Sequence, residues 1–493
     1  MCEIFHVVLI MPLTCTIVLV IICLKNKMNL MEMNKLKTKK YELDMTKGSI
    51  LKSILRFSIP YMLTSMLQIF YNAADLVVVS RWTGSEAMAS VGATSAITNL
   101  LLNLFLGMSV GTSVIMSRRY GAHDKAGMEK AVHTTVLLAI ILGITSLIIG
   151  QAFCKPLLIL MDTPEGTVLN GAVLYMRIIF LGTPATLCYN FCSAILRSVG
   201  DTKRPLYILS LSGIVNVLLN LLFVILFNMG VAGVGLATII SKYISAIAVV
   251  AILLKTDSEY KLYVRKLKIH KNELLSMLKI GIPAGLQNTV LSFSNTIIQS
   301  ALNSFGAAAM AGASAASNIE NFAFSVKDSF RQATVTAISQ NYGAKDEKRM
   351  NRCFYTCLLC MVVGGFCLSV LMTVFSKSLI SIYITDSPKA MEYGMMRMVV
   401  TGAPYFLSGI MDIYTGYLRG LGHANEAMVN SFIGVCGFRL IWVFLIFPLN
   451  RTFAMLYLCW PLSWILVAVM NMVTLHFVKK KIGLGQTAVK KGM

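Results

Sequence analysis

Along this chain, apolar runs of twenty or more residues alternate with short polar connections. Crossing roughly 30 Å of hydrocarbon takes about 20 helical residues. Runs of that length occupy 54–80, 87–116, 131–152, 171–196, 206–227, 231–254, 280–304, 307–338, 353–375, 391–418, 427–447 and 452–478. The pattern predicts an all-α integral membrane protein with twelve transmembrane helices. Pro60, Pro184, Pro283 and Pro404 fall inside four of the runs, an interruption that membrane helices tolerate better than soluble ones. A further apolar stretch at 4–24 lacks a basic leader and is followed by six lysines between 25 and 40. It reads either as a thirteenth span or as the product of an upstream start, with Met45 the natural beginning. A cleaved signal peptide fits the charge order less well.

The chain also repeats itself. GSEAMASVGATSAITN (84–99) matches GAAAMAGASAASNIEN (306–321), and YGAHD (120–124) matches YGAKD (342–346), both at an offset of 222. Over 84–124 against 306–346, 14 of 41 residues are identical, far above chance, so the chain carries a duplication. Ser58-Ile-Pro60 echoes Gly281-Ile-Pro283, Arg177 with Gly182-Thr-Pro184 echoes Arg397 with Gly402-Ala-Pro404, and LRSVG (196–200) echoes LRGLG (418–422). Six helices per copy return the second copy in the same orientation, which gives two parallel six-helix repeats with a substrate cavity between them. The expected layout is an extension at 1–44, a first lobe at 45–254, a linker at 255–279, a second lobe at 280–480 and a tail at 481–493.

Composition sharpens this picture. Of 493 residues, 56% are hydrophobic and 13% charged, about half the charged share of a soluble domain. The net charge of +22 would point to nucleic acid in a soluble protein. Its placement says otherwise. Of 44 Lys and Arg, 33 fall on one set of loops and the two ends, against five on the other set. That asymmetry predicts cytoplasmic termini in a multi-pass protein of the cell membrane, with the basic loops facing anionic lipid and no nucleic acid bound.

Twelve cysteines lie mostly inside apolar runs, where a thiol acts as a small hydrophobe. Cys353, Cys357 and Cys360 have the C-x3-C-x2-C spacing of a cluster-binding triplet. Such a triplet needs an accessible loop, and here it opens a span, so packing thiols on one helix face are expected and no metal. No phosphate-binding G-x-x-x-x-G-K-[ST] loop is present, so neither ATP nor another cofactor is expected.

Ionisable residues inside spans cost about 2.5–3.5 kcal/mol each at a helix centre and are functional candidates for that reason. Asp75 leads. Tyr71 and Asn72 precede it by one helical turn on the same side. A carboxylate in low dielectric takes up a proton or cation and releases it when water enters; a structural hydrogen bond to Asn216 or Asn220 is the plainer use of the same group. Asn216 and Asn220 share a helix face and serve equally as cation ligands or as helix–helix glue. In the eighth span Glu320, Lys327, Asp328 and Arg331 form a charged stripe, read as a substrate or second coupling site or as a self-neutralised cluster. Asp412 stands as a lone acid near Tyr414 and Tyr417. Arg177 and Arg397, matched between the repeats, read as architecture snorkelling to the headgroups.

The motifs FYNAADLVVVSRWTGSEAMAS (70–90), SRRYGAHD (117–124) and ILRSVGDTKRP (195–205), with the echoes YGAKD and YLRGLG (417–422), resemble those of the multidrug and toxic compound extrusion (MATE) family over residues 45–480. The resemblance implies a V-shaped, two-lobe, non-enzymatic exporter of small, often cationic, organic compounds by antiport with H+ or Na+. It puts Asp75 at the family's acidic coupling position and Asn216 at the first residue of the family's Asn-x-x-x-Asp. Asn220 replaces the acid of that pair, and Leu291 stands where the sodium-coupled branch carries Glu, so the ion stays open. A flippase for lipid-linked saccharides, from a sister family, is the alternative; a membrane-embedded enzyme using the cysteine triplet is a third. With both lobes on one chain, a monomer in contact with lipid is expected.

Overall fold

A computed structural model describes residues 41–484 apart from 83, 84, 162, 165 and 386; the stretch 4–24 lies outside the described residues. Among the described residues, twelve long helical segments run in sequence. The first lobe contains α1 (Ile50–Trp82), α2 (Ser85–Gly121), α3 (Lys125–Leu160), α4 (Thr167–Leu181 and Thr183–Ser198), α5 (Lys203–Leu226) and α6 (Gly230–Lys255). The second contains α7 (Lys271–Asn303), α8 (Ala307–Gly343), α9 (Glu347–Val374), α10 (Pro388–Arg397 continuing through a π turn to Tyr405–Gly420), α11 (Ala424–Leu449) and α12 (Phe453–Lys481). The chain is all α, with no strand among the described residues, and is built as two six-helix repeats.

The repeated motifs turn out to be helix ends. In YGAHD and YGAKD, His123 and Lys345 take left-handed φ of 54° and 58°. The following Asp124 and Asp346 then cap α3 and α9, each accepting from a backbone N–H at 2.9 Å. In LRSVG and LRGLG the closing glycines have φ of 82° and 81°, where a side chain would be strained. At Gly182-Thr-Pro184, α4 bends by 41°.

Seven helices, and α4 as a bent pair, are apolar enough by composition to cross a membrane. The other four, α1, α7, α8 and α10, hold many of the polar groups described below. On α1, Gln68 and Asn72 are exposed; so are Asn295, Gln299 and Asn303 on α7, and Ser314, Asn318 and Asn321 on α8. Polar side chains in spans are costly against lipid, so these exposed faces are suited to water and not to hydrocarbon. They lie in the halves of their helices away from the basic loops.

Toward the basic end the lobes close on each other. Gly107 and Gly111 of α2 meet Gly281 and Gly285 of α7 so tightly that a Cβ on Gly107 would fall 2.2 Å from the Gly285 Cα. These are two small-xxx-small faces crossing backbone to backbone. The segment before α1 ties both lobes as well. Leu43 N–H donates to Val199 O at 3.0 Å and Met45 N–H donates to Gln340 Oε1 at 2.9 Å. Gln340 Nε2 reaches back to Ser198 O at 2.8 Å. Arg349 donates to the carbonyls of Met45, Lys47 and Gly48 at 2.9, 2.6 and 2.9 Å.

Cys353 and Cys357 are buried in a hydrophobic cluster with Phe354, Met361, Ile413 and Tyr417. Arg419, counted from the sequence among the basic loops, is instead 2% exposed and donates to Gln287 Oε1 at 2.6 Å.

Candidate functional site

Three helices of the first lobe converge on Asp75. From α1 the carboxylate points between α5 and α6, where Asn220 Nδ2 donates to Asp75 Oδ1 and Thr238 Oγ1 donates to Oδ2 at 3.3 Å. Asn220 Nδ2 also contacts Asn216 Oδ1 at 3.4 Å. Both amides are buried, and Asn220 Oδ1 has no hydrogen-bond partner. Carboxylate, amide and hydroxyl oxygens around an orphaned acceptor are the donor chemistry that a proton or a hard monovalent cation requires.

Of the five residues singled out from the sequence for this site, three come together: Asp75, Asn216 and Asn220. Tyr71 turns aside, its hydroxyl donating to Ser210 O at 3.2 Å and its ring lying against Gly213. Asn72 is exposed and makes no hydrogen bond among the described residues. Two residues escaped the sequence reading. Thr238 bonds Asp75 directly, but one threonine in an apolar run carries no periodic signal. Lys242 is the next residue on that face of α6, one turn on from Thr238, and lies within electrostatic range of Asp75. As a charge left in a span once the loop charges are set aside, it was findable.

In the second lobe each of the three acids singled out in the spans, Glu320, Asp328 and Asp412, is paired. Glu320 on α8 takes the fork of Arg397 from α10, at 3.1 Å from Nε and 2.5 Å from Nη2, and accepts from Thr401 Oγ1 at 2.7 Å. Arg397 is therefore 6% exposed and does not snorkel; its other contacts are Ala313 O at 2.9 Å and the Tyr457 hydroxyl at 3.3 Å. Asp412 is not alone either, since Lys327 Nζ lies 3.2 Å from it. Of its two expected neighbours, Tyr417 donates instead to Asn351 Oδ1 at 3.0 Å. Asp328 pairs with Arg331 one turn on and accepts from Tyr61 of the first lobe at 3.0 Å. The stripe is a neutralised network with one strut across the lobes.

Beyond these pairs, Arg439 on α11 is 4% exposed and has neutral partners, Ser463 Oγ at 3.2 Å and Asn295 Oδ1 at 3.1 Å. The sequence reading passed over it as well.

Comparison with known proteins agrees with this architecture. The family model described as MatE matches residues 60–222 and 283–445, one block per lobe. The probable multidrug resistance protein YpnP of Bacillus subtilis is 28% identical over 390 residues, which cover 79% of this chain and 87% of that one. The probable multidrug resistance protein NorM of Thermotoga maritima is 23% identical over 397 residues, 79% of this chain and 84% of that one. Among solved structures, a MOP superfamily transporter from Pyrococcus furiosus superposes with a TM-score of 0.82 at 21% identity, covering 89% of this chain and 98% of that one.

Proposed function

The chain belongs to the MatE family, and on that premise we propose that it exports small organic compounds across the cell membrane by antiport with H+ or Na+. Relatives named as multidrug resistance proteins support the cargo class. The observation that carries the coupling step is the half-buried carboxylate of Asp75, which meets two neutral donors beside the unpartnered Asn220 oxygen.

In this reading the basic end faces the cytoplasm, in accord with the loop charges, and the exposed amide faces line a cleft that opens outward. A cation entering the cleft binds at Asp75 and competes with the hydrogen bonds from Asn220 and Thr238. Those bonds join α1, α5 and α6, so their loss favours a different packing of the first lobe and shifts the balance between open states. Lys242 sets a positive field against the arriving cation, which keeps loading reversible.

The test is transport in vesicles holding purified protein, with proton and sodium gradients imposed separately and ethidium as cargo. Asp75→Asn is expected to insert normally and to lose gradient-driven ethidium movement under both gradients. Undiminished movement in that variant would refute the role of Asp75.

A further inference from the structure

The two lobes place groups of opposite charge on matching helices. In the first, α1, α5 and α6 bring together Asp75, Asn220 and Thr238. The corresponding helices of the second lobe, α7, α11 and α12, bring together Asn295, Arg439 and Ser463. The Pro60–Pro283 offset of 223 carries Asn72 onto Asn295, and the LRSVG–LRGLG offset of 222 carries Asn216 and Asn220 onto Phe438 and Trp442, either side of Arg439. The correspondence is one of helices and not of residues, since the same offset of 223 carries Asp75 onto Ile298. Where the first lobe sets a half-buried acid among neutral donors, the second buries a guanidinium among neutral acceptors.

That guanidinium lacks a counter-charge. No carboxylate forms an ion pair with Arg439 among the described residues, and the ionisable groups that act on it are the thiols of Cys436 and Cys459. Glu320, the acid of this region, is held by Arg397 and Thr401. The Arg439 guanidinium lies 4.3 Å above the Trp460 ring, with Arg397 at 5.8 Å from the same ring. The Trp460 indole N–H is buried and has no acceptor, and Arg439 Nη2 donates to nothing among the described residues. A buried charge that meets only dipoles is costly, and a group persisting in that condition is matched to a ligand that supplies the missing sign.

We propose that the second lobe binds an oxyanion carried on an apolar organic body, with Arg439 as its anchor and Trp460 beside it. This rests on the export reading and deepens it: the cargo includes organic acids or zwitterions, and Asp75 and Arg439 divide cation and anion between the lobes. Asn295 stands on the exposed amide stripe of α7, so it is the point of entry. An arriving carboxylate replaces the Asn295 oxygen on Nη1 and takes the free Nη2, which gives the two-pronged geometry that guanidinium favours. A lipid phosphate offers the same chemistry.

The experiment uses the full chain in detergent, with no ion gradient, and a matched pair of probes, 2-naphthoate and its neutral amide 2-naphthamide. Calorimetry on the wild type is expected to show about a tenfold preference for naphthoate, the gain from exchanging a neutral for a charge-assisted hydrogen bond. In Arg439→Gln the ratio falls to about one. Asn295→Asp supplies an internal carboxylate, so it should also remove the preference while raising the melting temperature; it carries the test if the arginine variant does not fold. If excess phosphatidylglycerol abolishes the wild-type preference and phosphatidylcholine does not, the site stands with a lipid phosphate as occupant. Equal affinity for both probes in the wild type, or a preference that survives in both variants, overturns the site. Because binding is read without transport, that failure would leave the export reading untouched, and a protein that moves no ethidium could still show the preference.

Discussion

At the scale of single residues, the ionisable groups in the spans divide by whether a neighbour of opposite sign neutralises them. Glu320, Asp328 and Asp412 each have a cation within 4.0 Å, whereas Asp75 and Arg439 meet neutral partners. The first set reads as architecture; in the second, Asp75 and Arg439 read as sites because each also lies beside an unpartnered buried polar atom, Asn220 Oδ1 and the Trp460 indole N–H. A removed partner should expose the difference. Glu320→Ala strands Arg397 without its acid and is expected to cost about 3–5 kcal/mol, while replacing both residues by apolar ones should restore most of that loss. Thermal unfolding in detergent of the single and double variants measures it, and an unchanged melting temperature in Glu320→Ala would assign the pair no structural role. Arg177 and Arg397 occupy matched repeat positions, which is legible in the sequence. That Arg397 finds Glu320 depends on how α8 and α10 are rotated about their axes, and the amino-acid order of either helix does not specify this.

At the scale of elements, α2 and α7 meet across the lobe boundary through glycine. The paired small-xxx-small faces on α2 and α7 allow backbones to touch toward the basic end. A side chain there cannot be absorbed by a rotamer change, because the atom it strikes is a Cα. Gly107→Val should therefore prise α2 from α7 at a cost of about 1–3 kcal/mol, the range of overpacked cores. A cross-link between cysteines introduced on the two helices near this crossing, efficient in the parent and lost in the variant, is the measurement. The repeated sequence motifs also find their explanation at this scale. The acids of YGAHD and YGAKD are helix caps, so their recurrence reflects backbone geometry and not chemistry on a substrate.

For the whole molecule, the question is what holds the lobes together at the basic end. The segment 41–48 lies between the lobes and is gripped by Gln340, Asn341 and Arg349 of the second and by Val199 of the first. Arg349 alone supplies three hydrogen bonds to its carbonyls. At about 0.5–1.5 kcal/mol net for each, their removal in Arg349→Ala should shift the population toward molecules open at the basic end by tenfold or more. Spin labels placed on the basic-end loops of the two lobes would report a new, longer distance; an unchanged distribution would exclude the segment as a latch. Asp328 and Tyr61 form a second strut between the lobes, which accounts for a buried acid in α8 that has no counterpart in the first repeat.

The sequence by itself determined the twelve helices of the described residues, the duplication and the clustering of basic residues on one set of connections. Each of these follows from run length, self-similarity or charge count, properties that do not depend on distant contacts. It also singled out Asp75, because an acid in a long apolar run stands out without any partner in view. Only the tertiary structure decided the partners. Lys242 and Arg439 are legible as charges within apolar stretches but their partners are not, Thr238 is one hydroxyl among many, and Asp412 has no neighbour in sequence that points to Lys327. The reason is physical. Burial in a membrane fixes a helix's length and composition, but which charges meet is set by the rotation and depth of neighbouring helices, and these are properties of the packed bundle.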